Sequence, residues 1–152
     1  MAKLNLGATK HQIGFGKDGV IIQKFIAGIK GGRTLVVENY PVTVIYSGTP
    51  VITDGNGVYK PFPLVAKTTT EDSTTVPVLD EDGNQVYELG TLPSGYSYAG
   101  ILYKSILASK PAASIMTIGQ VNSAALYYPM DSIMSAFKTA CPHIEFIKDE
   151  EA

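Results

Sequence analysis

Turn-forming residues cut this chain into short apolar runs, and that punctuation restricts it to a fold built from short strands. Clusters of Gly, Pro, Asn and Asp alternate with segments rich in Val, Ile, Thr and Tyr, the residue types that suit a pleated, half-buried surface. Residues 34–38 and 42–46 read as strands interrupted by Asn39-Tyr40-Pro41, and Pro50–Thr53 reads as a third. Asp54-Gly55-Asn56-Gly57 accepts left-handed dihedrals, so Val51-Ile52-Thr53 and Val58-Tyr59-Lys60 are expected to face each other as a hairpin. Pro61 and Pro63, around Phe62, confine that stretch to a sheet edge or an extended crossing.

Residues 68–75 are polar without apolar periodicity and read as an exposed loop, followed by a strand-like stretch at 76–79. A second hairpin is expected to turn at Asp82-Gly83, and residues 89–96 form a turn-rich link. Residues 98–107 and 112–121 are longer and mostly apolar, as central strands are, with a break at Ser109-Lys110-Pro111. One segment reads as a helix. Pro129 suits a first turn, Asp131 suits the positive helix end, and Met130, Ile133, Met134, Phe137 and Cys141 recur at helical spacing before Pro142. Those five side chains are the expected packing face, and Ile144–Ile147 is the expected closing strand. The fold class is therefore α+β, predominantly antiparallel β with one short C-terminal helix.

The start of the chain differs from the rest. Residues 1–32 hold Gly7, Gly14, Gly16, Gly19, Gly28, Gly31 and Gly32, around an apolar, β-branched strand at 19–29. The reading is a glycine-rich N-terminal arm and first strand (1–32), then a compact β-rich domain (33–152). Residues 67–95 stand out in it as a possible insertion or extended hairpin.

Charge narrows the partners. Only 17% of residues are charged, the net charge is −2, and Arg33 is the single arginine. A phosphate-binding face would rest on scattered lysines, so nucleic acid is not an expected direct partner. Cys141 is the only cysteine, which rules out an intrachain disulfide. The first 17 residues are broken by Lys3, Asn5, Lys10, His11 and Gln12, unlike a signal peptide, and no apolar run is long enough to span a membrane. Synthesis in a cytoplasm is the expectation.

Each chemical motif has a plainer reading beside it. Cys141 and His143 supply two ligands where zinc needs three or four, so a buried thiol and a local polar contact explain them. Asp80-Glu81-Asp82-Gly83-Asn84 lacks the spacing of a calcium loop and reads as an exposed turn. Ser135 and Lys138 share the Ser-x-x-Lys spacing, but no accompanying motif follows. Gly14-Phe15-Gly16-Lys17-Asp18-Gly19 only faintly suggests a phosphate loop. No metal, cofactor or catalytic group is expected, and the chain reads as a non-enzymatic structural or binding protein. Nine tyrosines, large and amphipathic, suit protein interfaces and equally suit sheet edges.

Gly48-Thr49-Pro50-Val51-Ile52-Thr53-Asp54-Gly55-Asn56-Gly57-Val58-Tyr59-Lys60-Pro61 is followed in order by Tyr98-Ala99-Gly100-Ile101-Leu102-Tyr103 and by Ala113-Ser114-Ile115-Met116-Thr117-Ile118-Gly119-Gln120-Val121-Asn122. With the terminal helix and Pro142-His143-Ile144-Glu145, this set resembles the head decoration proteins of tailed bacteriophages and related capsid-associated head-fibre proteins, over about residues 35–147. The resemblance implies a homotrimer on the outer surface of a mature virion capsid, bound to the major capsid protein. It places capsid contacts in the arm, with Leu4, Leu6, His11, Ile13, Phe15, Ile22 and Phe25 as the candidates. The stretch 67–95 departs from the pattern, which keeps open a head-fibre base or a carbohydrate- or receptor-binding module displayed on the capsid.

Overall fold

A computed structural model describes residues 17–150. In chain order its elements are α1 (Asp18–Ile21), β1 (Ile22–Gly28), β2 (Arg33–Thr34), β3 (Val44–Ile45), β4 (Pro50–Thr53), β5 (Tyr59–Pro61), β6 (Leu64–Ala66), β7 (Thr68–Glu71), β8 (Thr74–Pro77), β9 (Tyr87–Leu89), β10 (Ser97–Leu102), β11 (Ile106–Leu107), β12 (Ala112–Ala113), β13 (Ile115–Asn122), a 3-10 turn (Ser123–Ala125), α2 (Met134–Ala140) and β14 (Ile144–Ile147). The fold is a small β-rich domain, mostly antiparallel, with one short C-terminal helix.

The principal sheet runs β1-β13-β10-β4-β5, with β14 also on β13. β13 is its axis. Along one edge it pairs with β1, from Ile22↔Val121 to Gly28↔Met116. A strand has two edges, so its other partners share the opposite one: β10 at the beginning, through Ile101↔Met116, and β14 at the end, through Gly119↔Ile144. The β13–β14 pair is parallel, an exception to the expected antiparallel pattern. A parallel neighbour needs a crossover, and the 3-10 turn, the following loop and α2 supply it.

The centre of this sheet, β4, β10 and β13, is buried on both faces. Side chains alternate across a strand, and neighbours in sequence accordingly enter different cores: Ile52, Ile101 and Met116 join one cluster, while Val51, Leu102 and Ile115 join the other. Burial on both faces explains why 98–102 and 115–121 read as nearly continuous apolar runs. The larger cluster also holds Phe62, Val121, Met130, Ile133, Phe137, Cys141 and Ile144, and Met134 packs against it partly buried. Phe137 is the anchor, fully buried and set edge-on to Tyr98 (5.3 Å between ring centres) and Phe146 (5.7 Å).

Several sequence expectations require correction. The helix begins at Met134, with Pro129 and Asp131 outside it. Burial of Met130 and Ile133 holds residues 130–133 in a turn closed by the Ile133 N–H on the Met130 carbonyl (3.0 Å), and no side chain caps the helix. The expected strand 98–107 is two: β10 stays in the main sheet, while β11 pairs with β3 in a separate ladder. The strand expected at 34–38 shrinks to β2, with Leu35 bridging Tyr59. The supposed loop 68–75 is a regular hairpin of β7 and β8, from Thr68↔Pro77 to Glu71↔Thr74. Its turn residues Asp72 and Ser73 both have positive φ, 47° and 67°, the requirement of a two-residue turn matched to strand twist.

A second hairpin stands beside it. Asp80 Oδ1 accepts the amides of Asp82 and Asn84 and fixes the acidic turn, and Leu79 bridges Gln85. At the root of both hairpins the Gln85 amide nitrogen lies within hydrogen-bond distance of the carbonyls of Lys67 (3.0 Å), Val78 (3.1 Å) and Val86 (2.8 Å), which share its two hydrogens. One side chain thus ties together three chain segments, at Lys67, Val78 and Val86, that backbone hydrogen bonds also link. Asn122, fully buried, performs a similar task at the other end, where its Oδ1 accepts from Ala124 and Asp149 and its Nδ2 donates to the Asp149 carbonyl.

Candidate interaction surface

Two surfaces stand out, and both lie close to where residues 1–16 join the described structure. The first is the outer edge of β1. Gln23, Lys24, Phe25 and Ile26 are exposed in succession, which leaves both faces of the strand open at that point as well as its edge. Phe25 is 41% exposed and Ile26 56%. Apolar side chains on an unpaired edge form a template for pairing with another chain. The Phe25 ring meets Tyr103 at 4.5 Å, and the Lys104 ammonium lies 5.5 Å from the Tyr103 ring centre, so the apolar patch continues onto the loop after β10.

The attachment of this edge is specific. Asp18 Oδ2 accepts the Ser105 amide (2.8 Å) and its Oδ1 accepts the Ser105 hydroxyl (2.6 Å). Ser105 Oγ in turn accepts the Ser47 amide, and the Ser47 hydroxyl donates to the Tyr103 carbonyl. Charge-assisted hydrogen bonds are the strong ones, so the chain entering β1 is fastened at Asp18.

The second surface is a groove of about 610 Å³. Residues 41–44, Asp80 and residues 84–87 line it together with Tyr46, Tyr127 and Tyr128. Tyr46 and Tyr127 stack face to face, 3.7 Å apart and 13° from parallel, and Tyr128 is tilted 6.5 Å from Tyr46. The Lys17 ammonium lies 5.5 Å from the Tyr127 ring centre. The facing sides of Tyr46 and Tyr127 therefore cover each other.

Burial pushes Tyr128 up to about 12, helped by the neighbouring Tyr46 and Tyr87 hydroxyls. Burial, then Tyr128, pushes Tyr40 higher still; its hydroxyl donates to the Phe62 carbonyl at 3.0 Å. In the unfolded chain a tyrosine ionises near pH ~10. Stability held by these neutral phenols is complete below that pH and is lost as the pH rises toward the folded-state values. Urea midpoints should hold to about pH 10 and then fall, Tyr128 accounting for roughly 1–2 kcal/mol by pH ~12 after discounting for its partial exposure. Tyr128→Phe should flatten that alkaline limb; an identical slope in the variant would refute the assignment.

The contact candidates drawn from the resemblance divide. Leu4, Leu6, His11, Ile13 and Phe15 lie outside the described residues. Phe25 lies on the open edge, but Ile22 is a correction: at 7% exposure it belongs to the larger core cluster, because the strand enters the sheet there. Ile26 and the Tyr46–Tyr127–Tyr128 grouping escaped sequence reasoning. Ile26 reads like its apolar neighbours, and the three tyrosines come from distant segments with no common spacing.

The residues weighed for chemistry divide between buried and exposed positions. Cys141 is buried, with its thiol pushed up by burial, while His143 is exposed. Ser135 and Lys138 are both exposed on α2. Asp80 spends one carboxylate oxygen on its own turn. Among the described residues no group of three or more His, Cys, Asp or Glu could hold a metal ion, and no helix is long and apolar enough to cross a membrane. Compared with protein-family models, with curated proteins and with solved structures, the chain gives no significant match.

Proposed function

We propose that this chain is a structural virion protein that binds the outer surface of a phage capsid and stabilises the shell, as a trimer bridging major capsid subunits. The observation that carries the reading is the open β1 edge. Phe25 and Ile26 are exposed there, directly after the N-terminal segment and next to its Asp18 anchor. A segment that continues into an exposed strand can hold a neighbouring subunit over a long contact, with main-chain hydrogen bonds supplying affinity and side chains specificity. The order of strand motifs described above supplies the capsid context.

Modest affinity suffices for such a clamp. A ligand at about 100 times its dissociation constant stabilises the bound state by about 2.7 kcal/mol per site. Three linked arms raise this further through effective concentration.

The test is cosedimentation with undecorated, expanded heads. Full-length protein should bind saturably at three-fold positions. Removal of residues 1–16 should weaken attachment by at least about tenfold, or ~1.4 kcal/mol, while circular dichroism stays unchanged, because the described core begins at Ile21 and the Asp18 anchor is retained. Absence of saturable binding by the full-length protein defeats the reading. Equal binding by the shortened protein removes the arm from it.

A further inference from the structure

We propose that copies of this chain dock head to tail, the acidic turn Asp80–Asp82 of one seated in the hollow that Arg33 lines on the next. The contact concerns the association of copies alone, and it goes beyond the capsid reading without depending on it.

The receiving hollow measures about 560 Å³ and is lined by the second half of β1, the turn leading into β2, and β12. Phe25 and Ile29 give it apolar surface, and Arg33 gives it charge. Arg33 is positioned by its own turn. Its Nη1 donates to the carbonyls of Gly32 (2.6 Å) and Lys30 (3.3 Å), and its guanidinium carbon lies 5.4 Å from the Tyr59 ring centre. Nε and Nη2 donate to no acceptor among the described residues, which leaves open a guanidinium edge of the kind that grips a carboxylate through two parallel bonds. The turn is held against β12, because Gly32 packs so close to the Ala113 carbonyl that a Cβ would collide with it.

The acidic turn has the complementary chemistry. Residues 68–86 carry Glu71, Asp72, Asp80, Glu81 and Asp82 and no Lys or Arg, whereas residues 22–36 carry Lys24, Lys30 and Arg33 and no Asp or Glu. Asp80, Glu81 and Asp82 are exposed, as are Lys30 and Arg33, and among the described residues none of these joins an ion pair. Asp80 Oδ1 holds the amides of Asp82 and Asn84, so the turn is set before docking, and the carboxylates of Glu81 and Asp82 accept no hydrogen bond among the described residues. Leu79, 53% exposed, directly precedes the acids, as the exposed Phe25 and Ile29 accompany Arg33. Each side thus sets an apolar group beside its charge, and the charges are opposite.

Within one chain the turn does not fill this hollow. Asp80 lines the tyrosine groove instead, which has no lining residue in common with the hollow at Arg33. Two different patches meeting between copies make a heterologous contact, which closes into a ring or runs on as a filament. A free phosphate ion would also satisfy Arg33, but it would leave Phe25 and Leu79 in water, and a second copy covers both.

The experiment follows the full chain by sedimentation velocity with no heads present, so its result is separate from attachment to a capsid. The chain should associate reversibly, and more weakly as salt approaches 1 M, where screening shortens to about 3 Å. Lys30→Glu with Arg33→Glu should weaken association by at least about tenfold, and so should Glu81→Lys with Asp82→Lys. All four substitutions in one chain should restore it to within about threefold of the original, a recovery that damage to the fold would not give. Undiminished association in the Lys30 and Arg33 variant overturns the proposal, as does failure of the fourfold variant to recover. A chain that stays monomeric while inorganic phosphate shifts the Arg33 and Ser114 amides assigns the hollow to a free anion and overturns it too.

Discussion

Phe137→Ala should lower folding stability by about 3–5 kcal/mol, the loss typical of a large aromatic side chain removed from a closed core. Phe137 is the buried residue of α2, and its ring sits between Tyr98 on β10 and Phe146 on β14. Helix, sheet and closing strand therefore share one contact. Seven residues are too few for a helix to hold itself in water, so truncation should release α2 together with β14. Urea unfolding measures the loss, and hydrogen exchange should show Ile144–Ile147 opening before β4 and β10. Phe137→Leu, which keeps most of the volume, should lose less than half as much. A loss under about 1 kcal/mol for the alanine variant would show that α2 is held elsewhere.

Gly119→Ala is expected to unfasten β1. A methyl group at this position would collide with the Lys24 carbonyl and the Met116 sulfur. The sulfur can swing away, but the carbonyl belongs to the backbone of β1, so the strand itself must move. Overpacking of this kind costs about 1–3 kcal/mol or more, and the cost falls on the β1–β13 pairing. Amides of residues 22–28 should exchange much faster while those of β4 and β10 stay protected, and attachment to heads should fall with them. Normal β1 protection in the variant would mean that the strand adjusts without parting, and the predicted loss of attachment would go with it.

How far the sequence foretold this fold depends on where the deciding interactions lie. Pro50–Thr53 and Ile144–Ile147 were legible to the residue, and the hairpin across residues 54–57 to within one residue, its second strand being Tyr59–Pro61 where Val58–Lys60 was expected, because local turn chemistry and strand composition agree there. The β7–β8 hairpin was hidden because its threonines show no apolar alternation, although their β-branching was a usable signal. The helix start was misplaced because tertiary burial of Met130 and Ile133 overrode a favourable first-turn pattern. Of the candidate surfaces, Phe25 entered only through the family resemblance, and the structure shows it exposed on β1. The tyrosine groove was not legible, since no local rule connects residue 46 with residues 127 and 128.

The arrangement around β13 also dictates an order of events during synthesis. β1 is translated early, yet its only sheet partner among the described residues comes almost a hundred residues later, since Ile22 pairs with Val121. Until then a strand carrying Phe25 and Ile26 is bare in the growing polypeptide, a hazard for crowded ribosomes translating the same message. The sheet cannot be finished until Ile144–Ile147 has followed, so folding is a late, collective step dominated by distant pairings and belongs to the slow regime of milliseconds to seconds.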